Sequence, residues 1–405
     1  MSYILRRITL SRLLLLCATI VIAGAGASAA ALAITSGPVP PKKPLAEAIH
    51  DALAAPPVQG ISANVTFVNH LIEGSTLQSG SGVGAGSGGD PLLEGASGRV
   101  WISGRQARLE LQSESGATQI LFNGSMLTLY DAAKGTLYRW QLPSSTSSEQ
   151  VGQGRTDGIP TIRQINEAIS KLMGAVNISG ASPTDVAGQP AYSVRISPKR
   201  DGGLLGGVET AFDAEHGLPL RLSIYAKGQS APVLELTATE VSFGPISQST
   251  FTVNPPPSVK VTEVKPVGSG GTRARGGLKA DVTGVQAVAA ALPFTLQAPQ
   301  SLAGMARREV RLVEFDGHDA AMVSYGEGLG GIIVIEAQSK RGGARESASP
   351  ESSALPLPSV SVGGAKGHLL TTALGSILRF QSAGVEHILA GSVSAEVIEA
   401  AARGL

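Results

Sequence analysis

The side chains that could perform chemistry are few and widely spaced in this sequence. The densest acid/base group is the run Asp213-Ala214-Glu215-His216, which offers two carboxylates and an imidazole for proton transfer. Gly217 follows the run and predicted strands lie on both sides, so the sequence favours a polar turn over a catalytic centre. The histidines share no spacing typical of metal ligands; they are His50, His70, His216, His318, His368 and His387. The sequence therefore indicates no catalytic residue and no metal site.

A glycine pattern in the first half matches a nucleotide-binding fingerprint by spacing alone. Gly84, Gly86 and Gly89 fit G-x-G-x-x-G, but no predicted strand precedes them, and Asp90-Pro91 stands where a helix should begin. We interpret residues 78–89 as a flexible insertion and expect no cofactor. The single cysteine, Cys17, lies in an N-terminal apolar run, which leaves the rest of the chain without a disulfide or a thiolate nucleophile. We expect a protein that is not an enzyme.

Apolar and aromatic side chains on predicted strands and helices are the remaining candidates for a site. Such residues could line a ligand cavity or fill a core, and strand alternation alone does not distinguish the two because both need the dry face. The candidate cavity residues are Val65, Phe67, Trp101, Leu109, Leu111, Phe122, Tyr130, Trp140, Ile165 and Ile169.

The elements that must position these residues follow from two periodicities. Apolar residues three or four apart predict one helix over 45–53, whose Leu45, Ile49 and Leu53 face should pack inward, and a second helix over 162–172 after Pro160. Period-two alternation predicts about ten strands, at 61–67, 98–103, 107–113, 119–123, 126–131, 136–142, 191–196, 207–213, 218–226 and 233–243. Most connections in the first run of strands are short, and Asn123-Gly124 is a hairpin signal, so these strands should form an antiparallel meander.

This inventory predicts a sheet that its own helices cannot cover. Some ten strands with one dry face each make a curved sheet, and two short helices cover only part of its apolar side. The uncovered part needs a second sheet, a partner or a ligand.

Charge and composition restrict the partners. The chain of 405 residues has 32 Lys+Arg against 31 Asp+Glu, and only 16% of its residues are charged. No net field exists to hold nucleic acid, so we expect no nucleic-acid partner. The 51 glycines and 24 prolines favour short strands joined by many turns over long helices.

The N-terminus carries an export signal. Three arginines precede an apolar run, Leu13–Ile34, and the first acidic residue is Glu47. Twenty-two residues make a helix of roughly 33 Å, enough to span a bilayer. The second half is rich in Ala, Gly and Ser and offers cleavage sites such as Ala27-Ser28-Ala29, so residues 1–37 act either as a cleaved signal peptide or as a membrane anchor. We expect the rest of the chain to be extracytoplasmic, in the periplasm or on the cell-envelope face.

Composition divides the exported part into two domains. Residues 38–261 form the first, residues 262–282 are a polar, Gly-rich linker, and residues 283–405 form a smaller α+β domain. In the second domain we predict a helix from Val285, strands at 310–315, 321–325, 331–338, 374–380 and 385–389, and a terminal helix over 394–403.

The first domain resembles the LolA-like outer-membrane lipoprotein carrier superfamily, which includes RseB-like sigma-factor regulators. The resemblance lies in the order of elements over residues 45–260, in the segment Leu92–Trp101 with its continuation to Asp131, and in the signature Phe251–Pro257. It implies a mainly antiparallel α+β fold, a half-barrel sheet with covering helices, whose apolar cavity takes up acyl chains of lipids or lipoproteins. The C-terminal domain resembles an uncharacterised bacterial envelope domain found with anti-sigma factors.

Three functions remain open on the sequence. The leading one is a non-enzymatic lipid- or lipoprotein-binding protein, related to lipoprotein carriers or sorting proteins. The alternative is a membrane-tethered regulator of an extracytoplasmic sigma factor, with a membrane-bound partner such as an anti-sigma factor. A secreted hydrolase is the third, with only the polar cluster at 213–216 in its favour.

Overall fold

The structure, a computed structural model, divides into two compact units. The N-terminal unit holds most of residues 37–264, and the C-terminal unit holds most of the residues that follow. The structure describes residues 37–56, 58–72, 92, 95–114, 116–132, 135–142, 159–200, 202–253, 255–264, 282–315, 317–339 and 358–405. The predicted export segment, the glycine pattern at 84–89 and most of the predicted linker lie outside these residues.

The N-terminal unit contains two helices and thirteen strands. The helices are α1 (Leu45–Ala54) and α2 (Ile162–Leu172). The strands are β1 (Ile61–Asn69), β2 (Ala96–Ser103), β3 (Gln106–Ser113), β4 (Gly116–Phe122), β5 (Met126–Asp131), β6 (Thr136–Gln141), β7 (Val176–Ile178), β8 (Ser182–Val186), β9 (Gln189–Pro198), β10 (Leu205–Asp213), β11 (Pro219–Ala226), β12 (Leu234–Phe243) and β13 (Lys260–Val264). Short β7, β8 and β13 are absent from the sequence prediction.

All strands of this unit belong to one sheet. Its order is β13-β6-β5-β4-β3-β2-β1-β12-β11-β10-β9-β7, with β8 paired to β9. Strands β1 to β6 form the predicted meander, and the hairpin at Asn123-Gly124 is confirmed by the pairing of β4 with β5. Its turn closes because the Asn123 carboxamide oxygen accepts the Met126 backbone N–H at 2.9 Å. The mainly antiparallel α+β class predicted from the sequence is confirmed.

The two helices pack on each other, and α1 approaches the sheet through small residues. Its buried side chains are Ala46 and Ala48, whereas Leu53 stays 53% exposed. The close neighbour is the turn before β11, where a Cβ on Gly217 would lie 2.4 Å from the Ala52 carbonyl oxygen. Such an approach admits only small side chains, so the expectation that Leu45, Ile49 and Leu53 form the inward face is wrong for Leu53. No described helix is long and apolar enough to cross a membrane.

The chain after β12 crosses the sheet and returns to its edge. A 3₁₀ turn, Gln248–Phe251, packs on β3 and buries Phe251, the first residue of the signature seen in the sequence. β13 then pairs in parallel with β6. This strand extends three residues into the segment 262–282 that we predict as a linker, because its backbone groups complete the ladder of an edge strand.

The C-terminal unit is a second antiparallel sheet with two helices. The helices are α3 (Val285–Ala291) and α4 (Ala395–Ala402). The strands are β14 (Ser301–Leu302), β15 (Met305–Phe315), β16 (His318–Tyr325), β17 (Ile332–Gln338), β18 (Ser359–Val362), β19 (Ala365–Thr372), β20 (Gly375–Ser382) and β21 (Val385–Gly391), in the order β14-β15-β16-β17-β21-β20-β19-β18. α3 packs on β15 and α4 on β20 and β21, and together they close the main core of the unit.

Two ionisable side chains are cross-strand neighbours inside this core. Glu336 on β17 pairs in register with His387 on β21, and both are almost fully buried. Glu336 accepts the Gln297 N–H at 2.8 Å, and the His387 ring stacks on Phe380 at 4.8 Å. Burial raises the pKa of Glu336 to about 7 and lowers the pKa of His387 to about 4. Between those values the folded pair holds one proton and both groups are neutral.

Because the two pKa shifts are opposed, the contribution of the wild-type pair to the free energy of unfolding should change little with pH. In a variant that lacks one of the two groups, this contribution should depend on pH. In Glu336→Gln, the remaining His387 has a depressed folded pKa, so its stability contribution is present above pH 6.5 and is lost as the pH falls through about 4. In His387→Leu, the raised pKa of Glu336 gives a contribution that is present below pH 4.5 and is lost as the pH rises through about 7. In each variant the free energy of unfolding should change by on the order of 3 kcal/mol across this pH range. Hydrogen exchange of β17 and β21 peptides measures it.

Matched controls lie on exposed positions of the same sheet. Glu314→Gln and His368→Leu remove the same two groups where both side chains are exposed to solvent. Both variants should keep the flat profile of the wild type. Equal profiles for the buried and exposed variants would show that the pair at 336 and 387 does not set the pH dependence.

Candidate ligand-binding face

Strand register gathers the apolar side chains of the N-terminal unit on one side of the sheet. Phe67 pairs with Leu236 on one neighbouring strand and Ala96 on the other, and the same rows continue through β6. We call this side the apolar face; its larger members are Ile61, Val65, Phe67, Val100, Ile102, Leu109, Leu111, Ile120, Phe122, Leu127, Leu129, Tyr138, Trp140, Leu236 and Val241. The alternation in the sequence places these residues on one side because successive side chains of a strand point to opposite faces.

The middle of the apolar face is a closed core. Its buried residues are Ala63, Val65, Val100, Leu109, Leu111 and Ala238. Leu92 and Ala187 pack against them from other segments. Ala187 and Gly188 form the two-residue turn between β8 and β9, both with positive φ, as a type I′ hairpin requires. The tip of this hairpin therefore covers the middle of the face.

Ile120 on β4 still packs against this core, and beyond it the described side chains of the face are less buried. Phe122 on β4, Leu127 and Leu129 on β5, and Tyr138 and Trp140 on β6 are all half-buried, and none belongs to a buried cluster among the described residues. Tyr138 and Trp140 stack at 6.0 Å between ring centroids. We call these five residues the open patch.

One end of the open patch is polar. Thr118 pairs in register with Asp131, in the row that follows Ile120 and Leu129, and both side chains are buried. The apolar rows of β4 to β6 thus end at a buried hydroxyl and a buried carboxyl.

The opposite side of the sheet holds two of the predicted site residues, Trp101 and Tyr130. Trp101 lies between two guanidinium groups, with Arg99 at 5.7 Å and Arg108 at 5.9 Å from its ring centroid. Arg108 donates to the Thr250 carbonyl at 2.8 Å and thereby holds the chain segment that carries buried Phe251. Trp101 thus lies beside the arginine that holds that segment and does not face the open patch.

The ten predicted residues divide into three groups in the structure. Six share the apolar face: Val65, Phe67, Leu109, Leu111, Phe122 and Trp140. Of these, Val65, Leu109 and Leu111 are buried core residues. Trp101 and Tyr130 lie on the opposite side, and Ile165 and Ile169 lie on α2, the first buried and the second half-buried. The sequence reasoning missed Leu127, Leu129 and Tyr138, which alternate within strands that it predicted. Only the register between β4, β5 and β6 shows that they join Phe122 and Trp140.

The described cavities lie away from the apolar face. One of about 640 Å³ runs along α2 and is lined mainly by polar side chains: Ile162, Arg163, Asn166, Glu167, Ser170 and Lys171. Another of about 390 Å³ in the C-terminal unit is lined by Ala291, Leu292, Pro293, His318, Asp319 and Gln338. The enclosed cavity that the resemblance implies is not one of these two.

The polar cluster at 213–216 is a turn, as the sequence predicts. The Asp213 carboxylate accepts the Glu215 N–H at 2.9 Å and also the His216 N–H, and its Oδ1 lies 3.0 Å from His216 Nδ1. The His216 ring stacks on Phe243 at 4.2 Å. Both side chains are thus engaged in closing the connection between β10 and β11. Among the described residues, no three His, Cys, Asp or Glu side chains are grouped as metal ligands.

Comparisons with known proteins return solved structures only. No family model and no curated protein matches the chain. MucB in complex with MucA(peri) is similar with 15% identity and a TM-score of 0.39, over 88% of this chain and 94% of that chain. The MucA/MucB complex of Pseudomonas aeruginosa gives the same values. A putative outer membrane lipoprotein-sorting protein domain from Vibrio parahaemolyticus is similar with 11% identity and a TM-score of 0.19, over 51% of this chain and 95% of that chain.

The centre of the apolar face should not tolerate an added methyl group at Gly98. This glycine sits between Val65 and Leu111 in register, and a Cβ there would lie 1.8 Å from the Glu110 carbonyl oxygen. Gly98→Ala should therefore lower the free energy of unfolding of the N-terminal unit by about 2 kcal/mol or more. Urea unfolding followed by tryptophan fluorescence measures this unit directly, because Trp101 and Trp140 are the two tryptophans of the chain. Gly244→Ala, with no atom within 4 Å of its Cβ, should stay near the wild type.

Proposed function

We propose that this protein binds the acyl chains of lipids or lipoproteins outside the cytoplasm, without catalysis. The observation that carries the proposal is the open patch, where the apolar face continues past its covered core across β4, β5 and β6. A sheet face of this kind leaves apolar surface in contact with water unless a ligand or partner covers it. The acid/base cluster at 213–216, which could have suggested hydrolysis, is engaged in a turn.

The chemistry of the open patch suits an unbranched hydrocarbon chain. Two leucines, two stacked aromatic rings and Phe122 offer apolar contact over three adjacent strands. Burial of apolar area contributes roughly 25 cal/mol per Å², so an acyl chain needs no charged anchor to bind there. The polar row at Thr118 and Asp131 provides a boundary at which a headgroup or a lipidated peptide would leave the face.

The export signal supports an extracytoplasmic place of action. Residues 1–37 either anchor the chain or are removed, and both outcomes put the sheet outside the cytoplasm. An anchored chain cannot diffuse between membranes, which would favour local handover or sensing of lipid over shuttling.

A regulatory function with a protein partner is the second candidate. The side of the C-terminal sheet that faces away from the main core carries a row of apolar residues: Met322, Ile333, Ile335, Ile377 and Ile388. Ile377 is 45% exposed, and a small cluster of Val313, Ala320 and Ala337 is buried on the same side. Such a face is suited to contact with another protein, such as a membrane-bound anti-sigma factor.

Intrinsic fluorescence tests acyl-chain binding at the open patch. Trp101→Phe leaves Trp140, on the open patch, as the single tryptophan, and Trp140→Phe leaves Trp101 on the opposite side. A stearate brominated along its chain quenches only tryptophans in contact with it. We expect titration with this probe to quench Trp140 and to leave Trp101 unchanged. Equal quenching of both, or none of either, would contradict the proposal, and absent quenching would leave the regulatory function as the better one.

Adjacent residues of β5 supply a matched pair of variants. Leu129 points to the apolar face and Thr128 to the opposite side, in the same strand and with similar exposure. Leu129→Gln should weaken stearate binding about tenfold, because one apolar contact of 1–2 kcal/mol is lost, whereas Thr128→Gln should bind as the wild type does. Thermal unfolding of both variants separates loss of binding from loss of fold.

A further inference from the structure

The exposed large apolar residues of the structure are concentrated in one place. Of the nine described residues of this kind, six lie in or beside helices α1 and α2: Val39, Leu53, Ile159, Ile162, Leu172 and Met173. The two helices pack on each other. We call this part of the N-terminal unit, residues 37–56 and 159–173, the helical layer. It is separate from the open patch, which lies on strands.

Helix α2 has a wider apolar stripe than its packing uses. At 100° per residue, Leu172, Ile165, Ile169 and Ile162 fall within an arc of about 80°. Of these only Ile165 is buried, while Ile162 remains 42% and Leu172 59% exposed. The helix is well formed, with a capping box between Thr161 and Gln164, so this exposure is not the result of fraying. A stable amphipathic helix thus presents uncovered apolar side chains.

The exposed charges around this stripe are mainly positive. Arg163 and Lys171 on α2, Lys42 before α1 and Lys199 are exposed, against Glu167 on α2 and the Asp51 side chain on α1, which is 41% exposed. The Lys199 ammonium donates to the Met173 carbonyl, which places it at the C-terminal end of α2. The acid groups of α1 are less exposed, and Asp51 pairs with Lys43 at 2.6 Å. Apolar side chains flanked by Lys and Arg are the pattern of helices that lie in the headgroup region of anionic membranes.

The chain itself limits how far this layer can be from a bilayer. The predicted membrane segment ends at Ile34, and α1 begins at Leu45. The Pro-rich connection of ten residues spans roughly 30 Å at most. Tyr192 of β9 holds this connection by donating to the Pro41 carbonyl at 2.7 Å, which shortens the free part further. A chain anchored by residues 13–34 therefore keeps the start of α1 within roughly 30 Å of the membrane surface, and α2 packs on α1.

From the exposed stripe, the positive charge and the short connection, we propose that the helical layer docks on the anionic surface of the membrane that holds the N-terminus. The apolar side chains of Ile162, Leu172 and Met173 enter the interface, and Arg163 and Lys171 lie at the level of the headgroups. This surface is distinct from the acyl-chain site proposed on β4 to β6, and neither proposal depends on the other.

Site-directed labelling of the full chain tests the docking. Cys17→Ser removes the single cysteine, and Ile162→Cys or Leu172→Cys then carries an environment-sensitive nitrobenzoxadiazole label. Val261→Cys is the control, because it is 47% exposed in the same unit but lies on the edge strand β13. The labelled chains are reconstituted in phosphatidylglycerol/phosphatidylcholine vesicles with headgroup-attached nitroxide lipid. We expect quenching at 162 and 172 several-fold stronger than at 261.

Charge reversal tests the electrostatic part. Arg163→Glu together with Lys171→Glu should reduce quenching at 172 at least twofold, and Lys227→Glu, an exposed lysine in the turn after β11, should not change it. Circular dichroism verifies that the variants retain the helix. Quenching at 162 and 172 no stronger than at 261 overturns the proposal, as does a shielded label in the absence of vesicles, which would indicate a protein contact instead. The stearate titration of Trp140 is a separate readout, so the two proposals can fail independently.

Discussion

The N-terminal unit depends on the burial of one apolar sheet face. Thirteen strands in a single sheet place their apolar side chains in common rows, and the free energy of removing those rows from water holds the strands in register. The cover over these rows is local: a hairpin tip at Ala187 and the segment of Leu92 close the middle of the face. The two helices, which could have closed the rest, pack on each other, and α1 approaches the sheet through alanines. The open patch is the consequence.

On the opposite side of the same sheet, a segment of the chain itself packs on β3. Phe251 is buried there, and Arg108 links β3 to the Thr250 carbonyl while its guanidinium lies near Trp101. Trp101 thus interacts with two guanidinium groups of the protein itself. Two sides of one sheet therefore have different roles, and each tryptophan of the chain reports on one of them.

The C-terminal unit holds two ionisable side chains inside its core. Glu336 and His387 are buried as neutral neighbours because desolvation shifts their pKa values in opposite directions. The same sheet carries apolar residues on the side away from its main core. This unit thus combines a core that contains a neutral pair of ionisable groups with a face suited to another protein.

The sequence by itself determined the fold class, both helices of the N-terminal unit, ten of its strands and the turn at 213–216. These features depend on local periodicity and turn chemistry, which the order of residues contains. It also supplied six of the fifteen larger members of the apolar face, among them Phe67, Phe122 and Trp140, since alternation places them on the dry sides of their strands. Short strands such as β7 and β13 escaped prediction because five residues or fewer carry no clear period.

Only the tertiary structure decided which strands place their apolar sides on the same face of the sheet. Trp101 and Trp140 are equal in type and in local pattern, yet the register from β2 to β6 puts them on opposite sides of the sheet. Likewise, both helices were predictable, but their packing on each other depends on contacts between residues more than a hundred positions apart. This packing leaves Ile162 and Leu172 exposed. Pairing over such distances depends on the contacts of all strands of the sheet together, so a local stretch of sequence does not determine it.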